Sequence, residues 1–183
     1  WLVMNIALTQ RTLVHKNRAY DSLEQGWYSL LKNHTLFYVP NSLDHKFNLD
    51  NIQLLIVTGG DDNPVRRIVE TRLITECYIK NIPILGICHG ALLLNDLEDG
   101  VCELIDNHLD TTHKINMQGV DYEVNSYHNT SISKLGSDLL SLATASDGSI
   151  EAFRHRKRSV FGLMWHPERM EKPILPEELI TLL

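Results

Sequence analysis

Short uninterrupted apolar runs alternate along this chain with stretches whose apolar residues recur every three or four positions. The runs at 4–9 (MNIALT), 35–40 (TLFYVP), 52–57 (IQLLIV) and 82–87 (IPILGI) read as strands. The polar stretch QRTLVHKNR bounds the first, Pro40 stops the second, and the double glycine of TGGDD follows the third. From Tyr20 the apolar positions Tyr20, Leu23, Trp27, Leu30 and Leu31 predict one face of a helix, with Asp21 and Glu24 in its first turn. Pro64 suits the first turn of a second helix, in which Val65, Val69, Leu73 and Cys77 repeat every four residues and Glu76 pairs with Lys80. HGALLLNDL, after the fourth strand, predicts a third helix.

Strands apolar on both faces and separated by helices indicate a parallel sheet covered on both sides. After Gly100 the period shortens to two: VCELI, GVDYEVNSY, LLSLATA, GSIEAFRH and SVFGLMW predict a partly antiparallel edge. The expected fold is α/β, a three-layer sandwich with a mostly parallel central sheet, in one domain over 1–183. No repeat or linker divides it.

Composition changes this picture little. The chain has 183 residues, of which 43% are hydrophobic and 22% charged, as in an ordinary globular protein. A net charge of −6 argues against a nucleic-acid partner. Three cysteines far apart are no disulfide framework and favour a reducing cytoplasm. The apolar opening WLVMNIAL is too short for a membrane span, and Trp1-Leu2-Val3 read as additions ahead of a natural start at Met4.

Candidate chemistry sits where the fourth strand meets the third helix, in Gly86-Ile87-Cys88-His89-Gly90. A residue forced into a tight strand-to-helix turn is held at the carboxyl end of the sheet, and small residues two positions either side let strand and helix approach. The helix beginning at His89 directs amide hydrogens at the sulfur, which predicts a lowered thiol pKa. A glycine-rich turn that bound phosphate would want lysine and serine or threonine after it, and neither follows. Near the C-terminus VFGLMWHPE predicts a strand ending at His166-Pro167-Glu168, in which residues two apart point the same way. Glu168 then orients His166, and His166 activates Cys88. The amides of Gly60 and His89 form the expected oxyanion hole.

With TGGDDNP, GICHG followed by Asn95, VNSYHN, SDGSIEAF and VFGLMWHPE in this order, the chain resembles the class I glutamine amidotransferase superfamily. NSYH and DGSIEA favour its γ-glutamyl hydrolase branch, which includes γ-glutamyl-γ-aminobutyrate hydrolase and, among compact relatives, γ-glutamyl-CDP-amidate hydrolase. The resemblance implies a flavodoxin-like core, with Cys88 as nucleophile, His166 as base and Glu168 as its orienter. It also implies a glutamyl pocket from Gly59, Asn125, Ser126, Tyr127 and His128. The family often has arginine directly after the nucleophile and glutamine four residues after it; here those places hold His89 and Leu92.

The expected activity is cysteine-dependent hydrolysis of a small-molecule γ-glutamyl amide, without cofactor. Two other readings stay open: a glutaminase component feeding ammonia to a partner synthetase, and a non-catalytic glutamyl-binding protein. A homo-oligomer contact through the Trp27 stripe is also open. RHRKR (154–158) reads as a solvated hairpin tip, with a clamp for a phosphorylated group as the sharper alternative. No metal is assigned: His108 and His113 have zinc-like spacing, but no Cys-x-x-Cys pair accompanies them.

Overall fold

A computed structural model describes residues 3–182; Trp1 and Leu2, two of the residues read as additions, lie outside it. The strands are β1 (Asn5–Thr9), β2 (Arg11–His15), β3 (Arg18–Ser22), β4 (Thr35–Val39), β5 (Leu54–Val57), β6 (Ile84–Ile87), β7 (Val101–Leu104), β8 (Thr111–Met117), β9 (Val120–Ser126), β10 (Thr130–Lys134), β11 (Leu139–Ala145), β12 (Ile150–His155) and β13 (Val160–Leu163). The helices are α1 (Gly26–Leu30), α2 (Pro64–Lys80), α3 (His89–Leu97) and α4 (Glu177–Leu182).

One mixed sheet runs β4-β1-β5-β6-β13-β12-β11-β8-β9, with β10 pairing β12 and β7. The first five strands of that order are mutually parallel. From β13 onward every pairing is antiparallel. The antiparallel part is therefore an extension of six strands, larger than the edge expected. Successive residues of the parallel strands face opposite layers. Ala7, Leu55 and Val57 join the core that includes Leu73, Cys77 and Leu94 of α2 and α3. Ile6, Leu8, Leu54 and Ile56 join Trp27 of α1 and Leu179 of α4 in the other. This is the three-layer, flavodoxin-like arrangement.

Local chemistry explains α2 well. The Asn63 side chain accepts a hydrogen bond from the Arg66 amide, Pro64 occupies the first turn, and Asn81 closes the helix in the left-handed region. The helix expected from Tyr20 is a correction. Residues 11–22 form the β2–β3 hairpin, turned by Lys16 and Asn17, both at positive φ, and Tyr20 pairs with Leu13 rather than facing the core. Only the five residues of α1 are helical, anchored by buried Trp27. Strands β8 and β10 were likewise absent from the expectation; the β8–β9 turn uses Gln118 and Gly119 at positive φ.

Candidate active site

Register brings the site together. β13 lies beside β6, with Leu163 opposite Ile87, and the Cys88 amide donates to the Leu163 carbonyl at 2.7 Å. Cys88, just past β6, and His166, just past β13, therefore emerge at the same carboxyl rim. Both line a cavity of about 360 Å³, together with Gly60, His89, Tyr127 and Arg169.

Cys88 has φ 49° and ψ −102°, strained for a residue with a side chain. The glycines around it are sterically required. A Cβ on Gly90 would sit 2.1 Å from the Val57 carbonyl oxygen, and one on Gly86 2.6 Å from the Gly90 backbone. The sulfur is buried, which corrects the expected thiol pKa. Burial pushes it up to about 11; the His89 N–H and Arg169 pull it down, while Glu168 and Glu151 add to the rise. At the first turn of α3 the helix amide helps the thiolate, but desolvation is the larger effect. Near neutral pH Cys88 is therefore a neutral thiol.

The expected base and its orienter are in contact, though not through an extended strand. β13 ends at Leu163, and Pro167–Arg169 form a 3-10 turn. That turn curls the Glu168 carboxylate back onto the imidazole, with Oε1 2.7 Å from Nδ1. Asn125 holds the His166 backbone at both ends: its Nδ2 donates to the His166 carbonyl and its Oδ1 accepts from the His166 amide, each at 2.8 Å. Tyr127 lies edge-on to the His166 ring, and the Arg169 guanidinium stacks over Tyr127 at 4.4 Å while gripping Glu24.

The remaining expected residues divide. Gly60 and His89 lie at the cavity, and the His89 N–H faces the sulfur. Gly59 packs behind His166, Asn125 binds His166, and Tyr127 stands at the rim. Ser126 is fully buried and donates to the His108 carbonyl, away from the cavity. His128 reaches the cavity wall, but its ring turns toward Glu151. RHRKR sits at the opposite, amino-terminal rim of β13, where Arg158 donates to the Tyr78 carbonyl and covers its ring. That position rules out a clamp at this cavity.

Sequence reading missed a buried network behind the elbow. His89 Nε2 lies 2.7 Å from Glu70 Oε2, and the other Glu70 oxygen receives Arg66 at 2.8 Å and Thr9 at 2.7 Å. Burial alone would raise the Glu70 pKa, but His89, Arg66 and Thr9 outweigh it and hold the carboxyl below its ordinary value. Glu70 and Arg66, four apart on α2, carried the signal as a helix pair. Arg11, from the unexpected hairpin, also lines the cavity.

An α/β sheet that presents a strained cysteine elbow and a His–Glu pair at one rim has the form of a class I glutamine amidotransferase. A family model described as glutamine amidotransferase class-I matches residues 19–180, and the chain belongs to that family. Among curated relatives it is 32% identical to γ-glutamyl-CDP-amidate hydrolase of Campylobacter jejuni, over 91% of this chain and 90% of that protein. It is 29% identical to a glutamine-hydrolyzing GMP synthase component of Methanobrevibacter smithii, over 74% of each. Among solved structures, a protein from Thermoplasma acidophilum described as a GMP synthase component superposes with TM-score 0.74 at 19% identity, covering 100% of this chain and 93% of that one.

Proposed function

We propose that the protein hydrolyses a γ-glutamyl amide through a thioester on Cys88, releasing glutamate and a nitrogen-bearing leaving group. The observation that carries this reading is the shared cavity of Cys88 and His166, with Glu168 Oε1 2.7 Å behind the imidazole. His166 takes the thiol proton, and the thiolate attacks the side-chain carbonyl of the glutamyl group. The amides of Gly60 and His89 receive the developing oxyanion. The C–N bond breaks as His166 returns the proton to the departing nitrogen. His166 then takes a proton from water, whose hydroxide attacks the thioester; glutamate leaves and the thiol reforms.

The C. jejuni relative supports a nucleotide-linked amidate as the leaving group. Arg11 and Arg169 at the cavity suit such an anionic substrate, and the buried Arg11 Nε has no protein partner. A panel of γ-glutamyl compounds, with glutamate release measured for each, tests the reading. It includes γ-glutamyl derivatives of nucleoside diphosphoramidates and free glutamine. The nucleotide-linked compound should give the largest kcat/KM, and Cys88→Ala should abolish turnover with the circular dichroism spectrum unchanged. Undiminished turnover by Cys88→Ala would end the cysteine mechanism. The similarity to the GMP synthase component of M. smithii favours a second reading, an ammonia-donating glutaminase. Glutamine hydrolysis only in the presence of a synthetase would support it.

A further inference from the structure

Behind the cavity wall, in the antiparallel half, three histidines converge on one buried carboxylate. His108 precedes β8, His113 lies on it, His128 sits between β9 and β10, and Glu151 is on β12. We propose that His108 Nδ1, His128 Nε2 and Glu151, with His113 Nε2 beside them, bind a divalent transition metal, zinc by the chemistry of the donors.

Three observations converge on this. The first is distance: ligand atoms of His108, His128 and Glu151 all lie within 4.8 Å of one another. Toward Glu151, His108 Nδ1 lies 3.5 Å from Oε1, while His113 Nε2 and His128 Nε2 lie 3.3 and 3.7 Å from Oε2. A tetrahedral ion with ligands near 2.1 Å has edges of about 3.4 Å, so donor separations of this size leave room for the ion without rebuilding the site.

The second is unmet bonding. Among the described residues, eight buried side-chain polar atoms lack a partner, and five belong here: His108 Nδ1, both His113 nitrogens, His128 Nε2 and Glu151 Oε2. Each would cost free energy if left unbonded.

The third is tautomer control. His128 Nδ1 lies 3.0 Å from the Thr130 carbonyl and His108 Nε2 2.8 Å from Asp147 Oδ2, so both outer nitrogens donate. In the neutral rings the inner nitrogens then turn lone pairs toward a carboxylate, which is repulsive unless a metal ion lies between them or a ring takes a second proton. The longest of these separations, 3.5 and 3.7 Å, are too wide for direct proton-held bonds and favour the ion. An outer N–H held by a carboxylate or carbonyl is how metal-binding histidines are oriented. Two imidazoles and a carboxylate, with a third imidazole beside them, suit zinc better than magnesium or calcium.

The ion would act through position rather than contact with substrate. It would tie the β12 strand to the segment that carries Asn125, the clasp of His166, and Tyr127.

The test uses tag-free full-length protein purified without chelator. Elemental analysis should find one zinc per chain, and chelation should lower Tm, with zinc restoring it. Cobalt(II) substitution should give the visible absorption of a tetrahedral nitrogen–oxygen site. His128→Gln should remove that absorption. Asp147→Asn, at a half-exposed side chain outside the ligand set, should keep the fold and weaken metal affinity by about 10- to 100-fold. Substoichiometric metal, with no Tm response to zinc, cobalt, nickel or manganese in the folded protein, would overturn the proposal. It would leave the cluster as a histidine–carboxylate network held by protons. Because every readout is metal content, spectrum or Tm, failure here is distinguishable from failure of the hydrolase reading.

Discussion

Gly59→Ala tests whether the placement of His166 limits catalysis. A Cβ on Gly59 would stand 2.5 Å from His166 Cε1, 3.3 Å from Nδ1 and 3.4 Å from Nε2. Ordinary contact begins at 3.4 Å, so about 0.9 Å must be found. The loop cannot easily supply it. The Thr58 amide donates to Thr9 Oγ1, the Thr58 hydroxyl to the Thr9 carbonyl, and Arg66 donates to the Thr58 carbonyl at 2.6 Å. The His166 backbone is clasped by Asn125, so the imidazole must swing, and its bond to Glu168 must stretch or break. A catalytic group misplaced by roughly 1 Å costs about 100-fold in rate. We expect kcat to fall by about that factor with KM within a few-fold, and stability to fall by about 1–3 kcal/mol from overpacking. Steady-state glutamate release and single-turnover acylation would measure the first, urea unfolding the second. A variant with near wild-type kcat would refute the view that a rigid His166 limits the reaction.

Asn125→Ala removes both bonds to the His166 backbone; stability should drop by about 2 kcal/mol, roughly 4–8 °C in Tm, with the activity loss in kcat rather than KM. Unchanged kcat would place the support of His166 elsewhere. Glu70→Gln strands the buried Arg66 charge and should cost about 3–5 kcal/mol in denaturant titrations at neutral pH. Because the folded Glu70 pKa lies below its ordinary 4.5, its contribution is present above that pH and is lost as pH falls through the folded value. The variant should therefore lose less stability on acidification than the wild type; equal acid slopes would contradict the assignment. With the Cys88 thiol pushed up to about 11, its alkylation by iodoacetamide in the free enzyme should keep accelerating as pH rises past 9. A plateau below neutral pH would mean a preformed thiolate.

The parallel half was legible because its strands are uniformly apolar and its turns carry unambiguous chemistry: Asn63-Pro64 ahead of α2, the Gly86–Gly90 pair around Cys88. The hairpin at 11–22 was not, because its turn is Lys16-Asn17 rather than a glycine-bearing pair, and Tyr20, Leu23 and Trp27 happened to fall at helical spacing. That Cys88 and His166 share one rim, with Glu168 against the imidazole, was readable from local motifs, yet the reason Glu168 meets His166 was not. An extended strand was expected, and Pro167 instead starts a 3-10 turn that reaches the same contact. The sign of the Cys88 shift needed burial, which a motif does not carry. The cluster at Glu151 was only half legible: the spacing of His108 and His113 stood out, but nothing in the sequence joined them to His128 and Glu151. Its members come from separate stretches of chain around β8, β9 and β12, and β10, which flanks His128, breaks the alternation that marks a half-buried strand.

The two halves of the sheet make different contributions to one site. The parallel half sets the proposed nucleophile: its elbow strains Cys88, and the buried Arg66–Glu70–His89 network fixes the first turn of α3 whose amide faces the sulfur. The antiparallel half holds the proposed base: Asn125 of β9 clasps His166, and β12 pairs with the strand that leads to it. The β6–β13 pairing is the seam, and the bond from the Cys88 amide to the Leu163 carbonyl fixes its register at the last position before the site. Burial keeps the Cys88 thiol neutral, and the residue directly after it supplies no free cation to offset this. His89 in that place is turned away to Glu70, so in the proposed mechanism proton transfer to His166 is the step that arms the sulfur. On this view the rate depends more on how rigidly the antiparallel half holds His166 than on the acidity of Cys88 itself.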